Sequence, residues 1–387
     1  YTMTKPEELA RRASQLVPAL RERAGRTEEL RRIPKETVDD LHATGLLRAA
    51  QPSRFGGMGL DLDVVFQIAT EFGRGCGSTA WTYSVWASHN WLVGTFPEQA
   101  QREYWADSAN VVSSTSFNTS NSKLTATQGG YKLSGHWRFA SGCDEASWVM
   151  LGGIGPGGLL YLLVPKSDYV IQDTWYVSGL RGTGSKDIVV QDAFIPEYRT
   201  VLETDIQEAR TPGRLVHDTA NYRVPMGSIL PYTLASPIVG MAQGTLDEFE
   251  NYTRQRVFAR SGQKVEEFTT IHVRLAESEA EVRAAQLMML KDCRELFDLG
   301  RRGEMPAIDD RARYRRDQAY VVKLCIRAVN RLFEAGGGYA LFDSSPLQRF
   351  HRDAHAASHH SSLSWDVAAE EYGQVRMGIQ LPNSTMI

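Results

Sequence analysis

Cysteine is scarce: Cys76, Cys143, Cys293 and Cys325 are the only four in 387 residues, far apart and without a CxxC pair. That spacing excludes a disulfide scaffold or a zinc framework and suits reduced thiols, so no metal is expected. An excess of one charge is also missing. Lys plus Arg total 43 against 46 for Asp plus Glu, a net charge of −3, which gives a nucleic acid no positive field to meet. No apolar run reaches the roughly 20 residues of a membrane span; GSILPYTLASPIVGMAQG at 227–244 is broken by two prolines and several polar residues. The amino-terminal YTMTKPEELARRASQL carries acidic residues and no apolar core, unlike a secretory signal, and the expected location is the cytoplasm. Two chemical signatures are absent as well, GxxxxGK[ST] and GxSxG, and the glycine-rich GGGYALF holds no GxGxxG. GGGYALF at 336–342 follows no strand-like run, so neither a Rossmann domain nor a nucleophile-elbow hydrolase is supported.

What is present is enough apolar material for a large core, 42% hydrophobic residues, in a length that suits two or three domains. Proline divides the chain, because helix interiors disfavour it. Eight of fifteen prolines lie between Pro97 and Pro237, whereas 238–305, 307–345 and 347–381 have none. In the first of these stretches Phe268, Ile271, Leu275, Val282, Ala285, Met289, Cys293 and Leu296 form one helical stripe, with Gly300 as its expected C-cap. Such a helix, about 50 Å long at 1.5 Å per residue, calls for a bundle. Residues 108–208 instead hold short β-branched or aromatic runs, YKLSGHWRF, ASWVML, LLYLLV and DIVVQDAFI, separated by turn residues. PEELARRASQLVPALRERA and KETVDDLHATGLL, stopped at Gly45, return the first hundred residues to helix. The expected fold is α+β and mainly α, with a helical domain over 1–107, a β domain over 108–208 and a helical bundle over 209–387.

Two residue types cluster. Seven of eight tryptophans, Trp81 to Trp175, fall within 95 residues; each suits core packing, and together they would also suit an aromatic-walled pocket. Five of nine histidines lie at two places, His89 in SVWASHNW and His351, His355, His359 and His360 in RFHRDAHAASHHSS. The i, i+4 spacing of the second group has no accompanying carboxylate that would make it a metal site. GLRGTGS at 179–185 reads equally as a β turn or as backbone closely approaching a ligand.

Several segments, in order, resemble the acyl-CoA dehydrogenase superfamily: QPSRFGGMG (51–59), RQRVFARSG (254–262) and FEAGGGYALFDSSPLQRFHRDA (333–354). The resemblance covers nearly the whole chain. It implies an acyl-CoA dehydrogenase-like fold with a central β-barrel-like domain and a C-terminal four-helix bundle, assembled as a homotetramer with flavin at subunit interfaces. CGSTAW, HNW, RFASGCDEASW, WYVSGLRGTGS and PLQRFHRDAH are similar to the flavin-dependent monooxygenase branch, the oxygenase components of two-component aromatic hydroxylases such as 4-hydroxyphenylacetate hydroxylase and the secosteroid phenol hydroxylase. The implied activity takes reduced FMN or FAD from an NAD(P)H-dependent reductase, adds O2 as a flavin C4a-hydroperoxide and hydroxylates a phenolic, indolic or polycyclic ring. The alternative is an acyl-CoA dehydrogenase-type FAD oxidoreductase. Against it, HAASHHSSLSWD stands where dehydrogenases commonly carry a glutamate base, although Glu370 and Glu371 follow closely, and SSTSFNTSNS replaces Thr-Glu-Pro.

By the same resemblance His360, rather than adjacent His359, faces the flavin and helps form or protonate the peroxide. His89 contacts a phenol oxygen, and Ser141 lies near flavin N5. Ser116 lies by flavin or substrate. Trp137, Gly182, Thr183 and Ser185 line the flavin or its phosphate. Arg256 and Phe258 reach flavin across an interface, with Gly337 in the same cofactor-binding set.

Overall fold

The computed structural model describes residues 6–381 and 387. Five helices open the fold: α1 (Pro6–Leu30), α2 (Lys35–Thr44), α3 (Leu62–Gly73), α4 (Gly77–Val93) and α5 (Glu98–Tyr104). Gly45 ends α2 with φ 72°, the left-handed conformation that a Cβ disfavours. All 17 residues of α4 are buried. A helix enclosed on every face must partner its own polar side chains. Asn90 Nδ2 accordingly donates to Leu47 O at 3.1 Å, and Ser84 Oγ donates to Thr233 O at 2.7 Å.

Eight strands follow, β1 (Ser113–Ser116), β2 (Ser122–Thr127), β3 (Gly130–Ala140), β4 (Trp148–Gly155), β5 (Gly158–Pro165), β6 (Val170–Gln172), β7 (Lys186–Pro196) and β8 (Thr200–Leu202). They form two four-stranded sheets, β1-β4-β5-β8 and β2-β3-β7-β6. The expected barrel-like domain takes the form of two open sheets facing one another. Leu133, Trp137, Val149, Leu151, Leu162, Val164, Ile188 and Val190 fill the core between them.

Helices then resume with α6 (Glu203–Gln207), α7 (Met226–Ile229), α8 (Tyr232–Arg254), α9 (Thr269–Arg302), α10 (Ile308–Gly336), α11 (Pro346–Ser358) and α12 (Trp365–Arg376). Helices α8 to α11 pack as a four-helix bundle, and α12 lies on α10. The apolar stripe of α9 is buried at Ile271, Val282, Ala285, Met289, Cys293 and Leu296. Its expected stop is misplaced by one turn. Gly303, with φ 71°, caps α9, while Gly300 stays helical because its bare Cα packs against Ala220 and Val224. Helix α8 runs through Pro237. Proline has no N–H for the carbonyl four residues earlier, and that carbonyl is the Thr233 oxygen taken by Ser84 of α4.

Candidate functional site

β1 joins the two halves of the site through its period of two. On one side, His89 Nδ1 of α4 lies 2.7 Å from Ser113 O, and Thr115 Oγ1 is 3.2 Å from His89 Nε2. A carbonyl can only accept, so Nδ1 carries the proton and Nε2 presents a lone pair. Burial drives the His89 pKa down to about 4, partly opposed by the Ser113 carbonyl. The ring is therefore neutral at pH 7. On the other side, Ser114 Oγ donates to Ser141 O at 2.8 Å and Ser116 Oγ to Arg138 O at 2.6 Å.

Ser141 follows a distorted end of β3. The β3–β7 register slips between Trp137 and Ala140, and Phe139 and Gly142 adopt φ 67° and 69°. Such bulges bend a strand and re-aim the side chains that follow. Here Ser141 Oγ comes within 3.2 Å of Trp81 Nε1 and 2.7 Å of Ser185 Oγ. Thr183 Oγ1 is 2.7 Å beyond Ser185. Phe139, 63% exposed, meets Trp175 edge-on with ring centroids 6.1 Å apart.

His360 enters from the bundle, its ring centroid 6.1 Å from that of Trp81. Ser362 N–H donates to His360 Nδ1 at 3.2 Å, so the neutral ring carries its proton on Nε2. Behind it, the buried Arg315 donates to Ser362 O at 2.5 Å. His360 keeps solvent access while protein crowds around it, as for a residue in the wall of a cleft. That desolvation, and secondarily the Arg315 charge, hold its pKa below the ordinary histidine range. The adjacent His359 instead places Nδ1 2.6 Å from His355 O. Glu371, the carboxylate that could have supplied a dehydrogenase base, is turned toward Arg315 with Nε to Oε2 3.9 Å, and Glu370 pairs with Gln374 at the surface.

The loop carrying Thr183 and Ser185 is fixed from α11. Asp353 Oδ1 accepts the Leu180 N–H at 2.6 Å and Arg352 Nη1 donates to Ser178 O at 2.6 Å. Arg349 and Arg352 both pair with Glu28 of α1, at 3.2 and 2.7 Å. The Arg-x-x-Arg-Asp element is thus a clamp joining α1, α11 and this loop. Gly179 fits because a Cβ there would overlap the Arg352 carbonyl.

His89, Ser116, Ser141, Thr183, Ser185 and His360 are therefore connected through β1, Trp81 and the loop. Trp137 and Gly182 differ from the expectation. Trp137 is wholly enclosed between the sheets with its N–H on Gly152 O at 2.9 Å, so it offers a ligand no surface. Gly182 is pressed against Thr27 and Ser78, and its role is packing. Thr183 and Ser185 are also nearly inaccessible, 1% and 4% exposed, so they support Ser141 from behind. Arg256, Phe258 and Gly337 gather separately at one end of the bundle. Arg256 Nη1 donates to Ala335 O at 3.0 Å beside Gly337, and Phe258, 45% exposed, packs edge-on to Phe268. An open groove of about 600 Å³ between α9 and α10 is walled by Arg274, Glu277, Arg327, Arg331 and Glu334. Its arginines and glutamates pair with one another or with nearby Glu281, and no aromatic side chain lines it.

Sequence reasoning missed Trp81, Thr115, Phe139, Arg315 and Ser362. Trp81 had a signal, its place in the tryptophan cluster, but nothing distinguished it from its six neighbours.

Residues 7–109 match the acyl-CoA dehydrogenase N-terminal domain, and residues 232–365 match the C-terminal domain of that family. The chain is 36% identical over 382 residues to the flavin-dependent monooxygenase oxygenase subunit HsaA of Rhodococcus jostii, covering 96% of this chain and 99% of that one. It is 35% identical to the oxygenase component of an FADH2-dependent resorcinol hydroxylase from a Rhizobium species, covering 97% and 96%. The crystal structure of 3-HSA hydroxylase from Rhodococcus sp. RHA1 superimposes with a TM-score of 0.93 over 98% of this chain and 99% of that chain, at 36% identity. The chain belongs to the acyl-CoA dehydrogenase superfamily, in its branch of flavin-dependent monooxygenase oxygenase components.

Proposed function

We propose that this protein hydroxylates a phenolic aromatic compound with O2, using reduced FMN or FAD delivered by an NAD(P)H-dependent flavin reductase. The observation that carries this reading is the opposite tautomers of two neutral histidines on either side of Trp81 and Ser141. His89 presents an acceptor and His360 a donor.

The donor set fits a reduced flavin. Ser141, 9% exposed, is the accessible member of a row of hydroxyls, and a hydroxyl oxygen keeps lone pairs for a ring N–H. Bound reduced flavin would supply the electrons that activate O2. His89 Nε2 can take the bond that Thr115 now gives it from a substrate phenol, drawing electron density into the ring. His360 Nε2–H would hold the proton needed by the oxygen atom that is not transferred. Trp81 and the Phe139–Trp175 pair limit water at that point. Arg256, Phe258 and Gly337 are proposed to complete the cofactor site of a neighbouring copy in a homotetramer, Arg256 through phosphate. The setting proposed for this reductase-coupled reaction is the cytoplasm, where four free buried thiols stay reduced.

Turnover with separately reduced flavin, against a panel of phenols, indoles and polycyclic aromatics under 18O2, tests the reading. One labelled oxygen should appear in a phenolic product. Purification with tightly bound oxidised FAD, and oxidation of acyl thioesters without label, would replace it with the dehydrogenase.

A further inference from the structure

We infer that Thr183 and Ser185 are positioning residues that set the direction of a hydrogen-bond chain, leave Ser141 as an acceptor, and so make the site prefer reduced over oxidised flavin. The inference rests on the placement of the flavin ring at Ser141 proposed above.

The direction follows from counting protons. Each hydroxyl has one proton to donate and two lone pairs, an indole N–H only donates, and a carbonyl only accepts. The Leu180 carbonyl lies 2.9 Å from Thr183 Oγ1, so the Thr183 proton goes there. Ser185, 2.7 Å from Thr183, must then donate to Thr183. Ser141, 2.7 Å from Ser185, must in turn donate to Ser185. The Trp81 N–H, 3.2 Å away, fills one lone pair of Ser141. One lone pair remains, and no proton.

The chain can run the other way only if Thr183 turns its proton toward Ser185. Two acceptor oxygens, Thr183 Oγ1 and Leu180 O, would then face each other at 2.9 Å with nothing between them. That arrangement sacrifices a buried hydrogen bond, and Thr183 is 1% exposed, so water cannot replace it. The carbonyl end is itself immobile. Leu180 has φ 53°, its N–H is held by Asp353 at 2.6 Å, and its oxygen also accepts from Trp175 Nε1 at 3.0 Å.

Reduced flavin carries a proton on N5, and oxidised flavin carries a lone pair there. An acceptor at Ser141 satisfies the first and opposes the second. Binding the oxidised ring requires either reversing three hydroxyls against the Leu180 carbonyl or giving up one hydrogen bond of the chain, whereas binding the reduced ring requires no change. Discrimination between redox states is thereby built behind the pocket, in side chains with almost no exposed surface.

The test is equilibrium binding of FMN to the intact protein, once oxidised and once dithionite-reduced under argon, in wild type, Thr183→Val, Thr183→Ser and Ser141→Ala. Valine keeps the shape and removes the hydroxyl that fixes the direction; serine restores it. The ratio of oxidised to reduced Kd should fall about three- to tenfold in Thr183→Val, the range of one net hydrogen bond, and stay near wild type in Thr183→Ser. Because the readout is a ratio, general damage to the pocket cancels. An unmoved ratio in Thr183→Val, with a shifted ratio in Ser141→Ala, overturns the chain and leaves the flavin placement standing. An unmoved ratio in Ser141→Ala overturns both. Should Thr183→Val not fold, Ser185→Ala interrupts the same chain, with the same fall expected and the same unmoved ratio overturning it.

Discussion

Replacing Asp353 with asparagine should make the protein gain stability relative to wild type as the pH rises. The wild-type carboxyl is 1% exposed, and burial lifts its pKa from 3.8 to about 7, with Glu28 adding to the rise and the Leu180 N–H, Arg352 and Arg349 opposing it. The folded state therefore holds a proton that the unfolded chain releases near pH 4. Across that interval the native state binds more protons, so stability declines as pH increases and the decline is complete above pH 7. At about 1.36 kcal/mol per pH unit, the two units from pH 5 to 7 amount to roughly 2.7 kcal/mol. Asparagine keeps an oxygen for the Leu180 N–H and cannot ionise, so this component disappears. Urea unfolding followed by tryptophan fluorescence at pH 5, 6, 7 and 8 should show the difference between Asp353→Asn and wild type growing by about 2 to 3 kcal/mol. Comparing the two proteins removes the contributions of Asp292 and Asp63, which are also raised. Parallel pH profiles would refute the reasoning, because they would mean that Asp353 is ionised throughout.

The remaining predictions concern the histidines. His360→Ala should lower hydroxylation about 100-fold, the lower range for a positioned acid, and divert reducing equivalents to H2O2; unchanged coupling, measured as product per NADH, would remove it from the chemistry. His89→Ala should reduce kcat/KM for phenols far more than for indoles, while an equal loss of flavin binding would mark His89 as a packing residue. With its pKa near 4, His89 is neutral across pH 5 to 8, so no limb of the wild-type pH–rate profile near the ordinary histidine pKa of about 6.5 should belong to it. A limb there that vanishes in His89→Gln would contradict the neutral assignment.

Much of the fold was legible because its signals are local. Proline spacing and the apolar stripe located α9 and the bundle, and Gly45 marked a stop by its own backbone preference. Gly300 misled for a physical reason: two glycines lie in one terminal turn, and packing against Ala220 and Val224 decides which is needed for contact and which for the cap. The site was legible only through resemblance. His89 and Thr115 meet across 26 residues, Trp81 and Ser141 across 60, and no periodicity connects them. Trp137 and Gly182 show the opposite limit, where a residue type suited to a ligand is consumed by packing.

The clamp formed by Arg352 and Asp353 also constrains the order in which the molecule can be completed. These side chains grip Ser178 and Leu180 across separations of 174 and 173 residues. During synthesis the sandwich strands emerge long before the segment that immobilises their connecting loop. A nascent polypeptide ending between β8 and α11 has every sandwich strand but lacks the latch on the hydroxyl-bearing turn. On the flavin placement proposed above, competence for the cofactor is among the last properties the growing chain acquires.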